Sequence, residues 1–234
     1  MSNYKKISQI ISNTLELLFP GNCMICGDKL IFNSMPFYLI CNSCMDNLEY
    51  ISGKRCICCS AELISEIDIC TRCRNIKYHF DSNISIFEYR GVVKDIIYQY
   101  KFKKRVRISM ILADLLIKTI QEFGLNLPIV PVPSASKKDH IDKIAGCLKK
   151  KYNIKVINCL KRKGAMQQKQ LDFEERFNNL KGKISVKHDL IKGIEEVILV
   201  DDIITTGATA NECSRVLKTC GLKKVYVATI AIDL

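Results

Sequence analysis

The stretch Val197-Ile-Leu-Val-Asp-Asp-Ile-Ile-Thr-Thr-Gly-Ala-Thr209 decides how this chain reads. Four apolar residues in a row suit a strand buried on both faces, as in a parallel sheet. Two carboxylates follow at once, then a run of small and hydroxyl residues, then a helical pattern from Ala210 to Cys220. Gly221 is placed to stop that helix as a C′ residue. A second apolar run, Val225 to Ile232, completes strand, loop, helix, strand. In open α/β sheets, ligands bind at the carboxyl ends of the strands, where this loop is expected.

The residue types in the loop specify its chemistry. Thr205, Thr206, Gly207, Ala208 and Thr209 precede a helix, whose first amides lack partners and whose dipole favours an anion. Gly207 permits close approach and the threonines add hydroxyls, so the loop reads as a phosphate cradle. Asp201 and Asp202 have the wrong charge for a phosphate but suit sugar hydroxyls beside it. The two together point to a ribose 5-phosphate group. The alternative is an ordinary strand–helix turn with capping threonines. The thirteen residues resemble the binding signature of type I phosphoribosyltransferases. That resemblance implies that the two acids hold the ribose 2- and 3-hydroxyls of phosphoribosyl pyrophosphate, and that the threonine loop holds its 5-phosphate.

Length and composition set the frame. The chain has 234 residues, 48% of them hydrophobic, enough for one α/β domain and a small module. The formal charge of +12 favours polyanionic ligands: pyrophosphates, nucleic acid or an anionic membrane. No apolar run reaches the roughly eighteen residues of a membrane span. Polar residues interrupt the N-terminal segment, so it makes a poor signal peptide, and a cytoplasmic location is expected. Ile7, Ile10, Ile11, Leu15 and Leu18 form a helical stripe there. The segment reads as a helix packed on the body, or else as an interfacial membrane helix.

Nine of the thirteen cysteines fall between positions 23 and 73. Cys23, Cys26, Cys41 and Cys44 form two C-x-x-C pairs; Cys56, Cys59, Cys70 and Cys73 form two more. Two such turns complete a tetrahedral thiolate site, and a filled site is structural. Two zinc ions are expected, with sequential pairing simplest and cross-bracing open. A disulfide framework needs an oxidising compartment, for which no export signal argues; free thiols are the other alternative. Cys58 is left over. Cys147, Cys159, Cys213 and Cys220 lie on apolar faces and read as small buried hydrophobes. A module this short and polar takes most of its folding free energy from metal, and bracing the next domain is at least as good a role for it as recognition.

The pattern divides the chain into an N-terminal helix over 1–20, a double zinc ribbon over 21–78 and an α/β domain over 79–234. Within the last, a strand is expected at Ile84 to Tyr89, a helix carrying Val92, Val93, Ile96, Ile97 and Tyr100, a long helix from Ile108 to Phe123, and strands at 129–133 and 155–160. The basic run Lys101-Phe-Lys-Lys-Arg-Val-Arg107 is either a solvated loop or an anion site. Ser134, Ala135, Ser136 and Lys137 follow Pro133 and can hold a second phosphate group. The long polar segment 161–179 is a candidate cover over the site.

The paired C-x-x-C motifs, Tyr89 to Gly91, Lys101-Phe102, Pro131-Val-Pro133, Arg162, Gln168, Leu171, Glu175-Arg176, Asn179 and the Asp-Asp-x-x-Thr-Thr-Gly-x-Thr loop occur in one order. Together they resemble the ComF family of competence-associated, phosphoribosyltransferase-like proteins. The resemblance implies a doubly wound, mostly parallel α/β sheet of the type I phosphoribosyltransferase kind, with a small N-terminal zinc-ribbon module. It implies phosphoribosyl pyrophosphate bound with Mg²⁺, with Asp201 and Asp202 as the catalytic pair. Ser134 to Lys137, Arg162, Lys163 and Arg176 would neutralise the pyrophosphate. A link to DNA uptake and natural transformation follows, with single-stranded DNA and DNA-uptake proteins as partners. The alternative is a nucleic-acid-binding competence protein whose pocket senses the sugar phosphate without turning it over. The chain departs from the family where Arg-Gly-Phe-Asn-Gln usually stands beyond Pro-Val-Pro: it has Asp142-Lys-Ile-Ala-Gly146. Binding is thereby better supported than turnover.

Overall fold

The computed structural model describes residues 21–30, 39–64, 67–103, 107–134, 140–163 and 180–233. The expected N-terminal helix and most of the proposed cover lie outside them.

The core is a four-stranded, all-parallel sheet. Its strands are β1 (Ser82–Glu88), β2 (Ile129–Pro131), β5 (Glu196–Ile204) and β6 (Lys224–Ile232), in the order β1-β6-β5-β2. A parallel bridge from Val156 to Ile129 continues the ladder beyond β2. The expected strand at 155–160 is therefore split. Its start joins this sheet, and its end begins β3 (Leu160–Arg162), which pairs antiparallel with β4 (Ile184–Val186) in a separate ribbon.

Alternation sorts the strand residues onto two faces. Ile198, Val200, Ala228 and Ile230 meet α2 (Gly91–Phe102), α3 (Ile108–Glu122) and α4 (His140–Tyr152), with Ile97, Tyr100, Leu112, Leu116, Ile144 and Leu148 filling that side. Val197, Leu199, Val225 and Val227 meet α5 (Ala208–Thr219) and the β3–β4 ribbon through Cys213, Leu217, Leu160 and Ile184. With both faces covered, the unbroken apolar run 197–200 is explained: all four side chains are fully buried. Of the four cysteines expected to be buried, Cys159 and Cys213 are fully so, whereas Cys147 and Cys220 are only half-buried. Helix α5 ends at Gly221, which takes φ +101°; its N–H bonds Lys218 O and that of Leu222 bonds Leu217 O, the two bonds of a Schellman motif.

The cysteine-rich segment folds as two copies of one knuckle. In the first, Cys23 N–H bonds Asp28 O, Gly27 N–H bonds Cys23 O, and Asn22 bridges Lys29. In the second, Cys56 N–H bonds Ala61 O, Ser60 N–H bonds Cys56 O, and Arg55 bridges Glu62. Gly27 and Ser60 both take positive φ, +83° and +67°, at the equivalent place. The short helix α1 (Asn42–Asp46) carries Cys44, and the Cys41 thiol caps it. The two knuckles pack on opposite sides of the sheet: Cys23 and Cys44 with the α2–α3 side, Cys56, Cys59 and Cys73 with the α5 side.

Between the knuckles, the chain covers the open edge of β1. Ile51 N–H bonds Ile86 O, Glu88 N–H bonds Glu49 O, and Asn83 N–H bonds Ile57 O. Arg55 Nη1 donates to Ser85 O at 3.0 Å. The Ser60 hydroxyl donates to Asn83 O at 2.7 Å and accepts from Ser85 N–H at 2.9 Å. An edge that would otherwise offer unpaired backbone is closed.

Ser60 is 1% exposed, so Ser60→Ala strands a buried carbonyl and a buried N–H. At about 1–3 kcal/mol for each unsatisfied group, urea unfolding should show a loss of roughly 2–4 kcal/mol. A loss below about 0.5 kcal/mol, the range of neutral surface changes, would mean that the hydroxyl is not what closes the edge.

Candidate functional site

Strand order reverses between β5 and β2. From β5 the chain crosses through α5 to β6 on one side; from β2 it crosses through α4 to Val156 on the other. A crevice opens at the carboxyl ends of such a pair. Here it is a cavity of about 370 Å³ whose lining includes Val132, Pro133 and Ser134 after β2, and Asp201 and Asp202 on β5. A smaller cavity continues it, lined by Thr205, Thr206, Gly207, Ala208 and Thr209, and the two share Asp201 and Thr209.

The acids stand on the strand, not in the loop. β5 runs to Ile204 because β6 is equally long and keeps pairing: Asp201 with Thr229, Ile203 with Ala231, Ile204 with Ile232. Adjacent strand residues point to opposite faces, so the two carboxylates diverge. Asp202 meets α2, where Lys101 Nζ lies 2.8 Å from its Oδ2. Asp201 turns toward Arg162 and Cys213, and its Oδ1 accepts from Asp202 N–H at 2.8 Å. Burial, followed by the neighbouring Asp202 charge, raises the Asp201 carboxyl to about 8.

The loop that follows is built for close approach. Gly207 takes φ +76° as the N-cap of α5 and offers no side chain to cap the first-turn amides. Thr206 is buried and its Oγ1 accepts from Ala208 N–H at 3.3 Å. Across the larger cavity, the Arg162 Nε is buried without a hydrogen-bond partner among the described residues. A buried donor of this kind fits an anionic acceptor from a ligand.

Of the residues expected at the site, Asp201, Asp202, Thr205 to Thr209, Ser134 and Arg162 line these joined cavities. Lys163 is exposed, lines neither cavity, and pairs its backbone with Lys183. Ala135, Ser136, Lys137 and Arg176 lie outside the described residues. Lys101, expected in a surface loop or anion site, instead belongs to the last turn of α2 and pairs with an acid. Its spacing carries a signal, since it lies four residues after buried Ile97 and so shares that face. His140 also lines the cavity; its backbone carbonyl accepts from the buried Tyr100 hydroxyl.

The cysteines form two four-thiol clusters, Cys23/26/41/44 and Cys56/59/70/73, each with its sulfurs within 4.8 Å of one another. Pairing is sequential. Cys26–Cys41, Cys23–Cys44 and Cys59–Cys70 sulfurs are 3.5, 3.9 and 3.7 Å apart. A tetrahedron of 2.3 Å Zn–S bonds has edges of about 3.8 Å, and a disulfide needs about 2.05 Å, so these are metal-site spacings. Backbone N–H groups of Ile25 and Cys41 point at Cys23 Sγ, and that of Cys70 at Cys56 Sγ. Burial pushes both thiols up, but these amides outweigh it and bring Cys23 to about 6 and Cys56 to about 7. The donor set fits structural zinc. Cys58 stays outside the four-thiol set, beside Cys73.

The raised Asp201 carboxyl has a measurable sign. An acid whose folded value exceeds its unfolded value of 3.8 contributes stability that is full below pH 4 and is lost as pH rises through about 8. The ligand-free Asp201→Asn variant lacks that loss. It should resist urea better than wild type at pH 8, with the difference shrinking toward pH 4; parallel pH profiles for the two proteins would rule this out.

The double zinc ribbon domain family matches residues 14–74. Competence protein F of Haemophilus influenzae is 28% identical over 209 residues, covering 82% of this chain and 90% of that one. The DNA utilization protein YhgH of Salmonella typhimurium is 26% identical, covering 90% and 96%. Competence protein ComFC of Streptococcus pneumoniae is 21% identical, covering 87% and 96%. Among solved structures, an adenine phosphoribosyltransferase from Thermoanaerobacter pseudethanolicus overlaps 56% of this chain and 83% of its own, at 13% identity and a TM-score of 0.39. The chain is thus similar to competence proteins along nearly their whole length, with a double zinc ribbon match ahead of the parallel α/β sheet.

Proposed function

We propose that the chain binds phosphoribosyl pyrophosphate together with Mg²⁺ and serves in DNA uptake linked to natural transformation. The observation that carries the binding reading is the joined pair of cavities. A small one is walled by helix-start amides and threonines; a larger one carries two carboxylates and a buried arginine donor without a hydrogen-bond partner among the described residues. The first suits a 5-phosphate and the second a ribose with pyrophosphate. Asp201 and Asp202 would accept from the ribose hydroxyls, and Arg162 with Ser134 would face the pyrophosphate. Mg²⁺, when bound, supplies charge neutralisation between carboxylates and phosphates that would otherwise repel. The transformation role is inferred from the names of the curated relatives. Bound zinc at the two cysteine clusters is part of the same reading.

A second reading, nucleic-acid binding with the pocket as a sensor, is favoured by the exposed Lys161, Lys163, Lys181 and Lys187 around the β3–β4 ribbon. Affinity for single-stranded DNA should then fall steeply with salt, and Lys161→Ala/Lys163→Ala should flatten that slope while sparing sugar-phosphate binding. Salt-insensitive binding argues against it.

Calorimetric titration of phosphoribosyl pyrophosphate with Mg²⁺ tests the first reading. Wild type should saturate, and Asp201→Ala/Asp202→Ala should bind at least about a hundredfold more weakly, two charged hydrogen-bonding groups having been lost. Absence of saturable binding by the wild-type protein sinks the proposal. A thiol-reactive reagent should release two zinc equivalents per chain and lower the melting temperature; a single equivalent would leave one cluster without its metal.

A further inference from the structure

The segment joining the second cysteine cluster to β1 runs beneath the loop at 205–207. The Tyr78 hydroxyl donates to the Thr206 carbonyl at 3.3 Å. Its ring lies 3.0 Å from where a Cβ on Gly207 would stand, and it packs at a tilt against Phe80 with centroids 4.7 Å apart. The next residue adds a second tie: His79 N–H donates to Asn211 Oδ1 at 2.6 Å, and Asn211 N–H donates to the Gly207 carbonyl at 2.8 Å. Neither Tyr78 nor His79 lines the cavity, so both grip the loop and the first turn of α5 from behind. The same Tyr78 hydroxyl also lies within reach of the Cys73 sulfur, with Cys58 and Cys59 nearby.

The orientation has a consequence for binding. The Thr206–Gly207 peptide is trans, so its carbonyl and N–H point in opposite directions. Holding the carbonyl on Tyr78 turns the Gly207 N–H toward the cavity that Gly207 lines. A loop of small residues has many backbone states and little side-chain packing to choose among them. The tie from behind selects one before any ligand arrives, which lowers the ordering cost of binding. Among the described residues, nothing equivalent comes from the first cluster, which packs on the opposite side of the sheet.

We propose that Tyr78 is a positioning residue through which the Cys56/59/70/73 cluster fixes the loop at 205–207, so that phosphate binding depends on that cluster and not on Cys23/26/41/44. The proposal rests on reading residues 205–209 as a phosphate site.

The test uses the full chain, with ribose 5-phosphate as probe and amide exchange as a ligand-independent readout. Tyr78→Phe keeps the ring and its packing and loses only the hydroxyl. It should bind ribose 5-phosphate about three- to tenfold more weakly. Amides 205–208 should exchange faster while those of 197–200 stay as in wild type. Cys70→Ser should loosen the same amides, and Cys26→Ser should not. Unchanged exchange at 205–208 in Tyr78→Phe overturns the proposal, as does loosening that extends equally into 197–200 or that Cys26→Ser reproduces. If wild type fails to bind ribose 5-phosphate but Tyr78→Phe still loosens the loop, the phosphate reading fails and the brace stands.

Discussion

The ladder between β5 and β6 is the constraint on which the site depends. It pairs Glu196 with Lys224 at one end and Ile204 with Ile232 at the other, inside a sheet buried on both faces. Because pairing continues past Val200, Asp201 and Asp202 inherit the rigidity of a core strand. Their divergence is a consequence of the pleat, not of loop packing. One carboxylate therefore meets a lysine on the helical side while the other is pushed into a poorly solvated position near Arg162. Groups on strands are positioned more closely than groups on loops, which suits a pocket that must orient a small polar ligand.

The ribbon contributes by a different physical route. Its two knuckles have little apolar interior of their own, yet each places buried cysteines against one side of the sheet. Between them, residues 49–60 satisfy the backbone of β1 with Ser60 and Arg55 as well as main-chain groups. The module thus stabilises the α/β body by closing its edge, and the body supplies the apolar contact that the module lacks. Metal at the clusters would hold the register of this seam, since each four-cysteine set joins turns far apart in sequence.

Much of this was legible because it is written in local periodicities. The run Val197 to Val200, the stripe Val93, Ile97, Tyr100, and the Gly221 stop all act within one turn or one strand. The C-x-x-C spacing made sequential pairing the simplest arrangement and left cross-bracing open; the sulfur distances select the sequential one. What the sequence does not make legible depends on partners distant along the chain. The length of β5 is set by β6, so the acids could not be assigned to the strand from their own neighbourhood. Lys101 looked like the start of a basic loop because Phe102 and Lys103 hid the continuing helix. Tyr78 sits in an irregular segment where no period marks a buried face. Its importance comes from Gly207, more than a hundred positions away.

The electrostatics of the pocket carry one more step. Two carboxylates beside a phosphate cradle repel the ligand that the cradle attracts, and low solvation strengthens that repulsion. The described residues answer with Lys101 on Asp202 and Arg162 near Asp201. Lys101 is already committed to an ion pair, and Arg162 itself suffers from burial. Two cations set against two acids leave no surplus for a pyrophosphate. A ligand with several negative charges must therefore bring positive charge with it, draw cations from elsewhere in the chain, or bind with Asp201 protonated. Only the last makes affinity fall as pH rises through about 8, while a metal-borne ligand would pull that carboxyl back toward the ordinary range. The pH dependence of affinity, with and without a divalent ion, thus separates a pocket built for a metal complex from one built for the bare sugar phosphate.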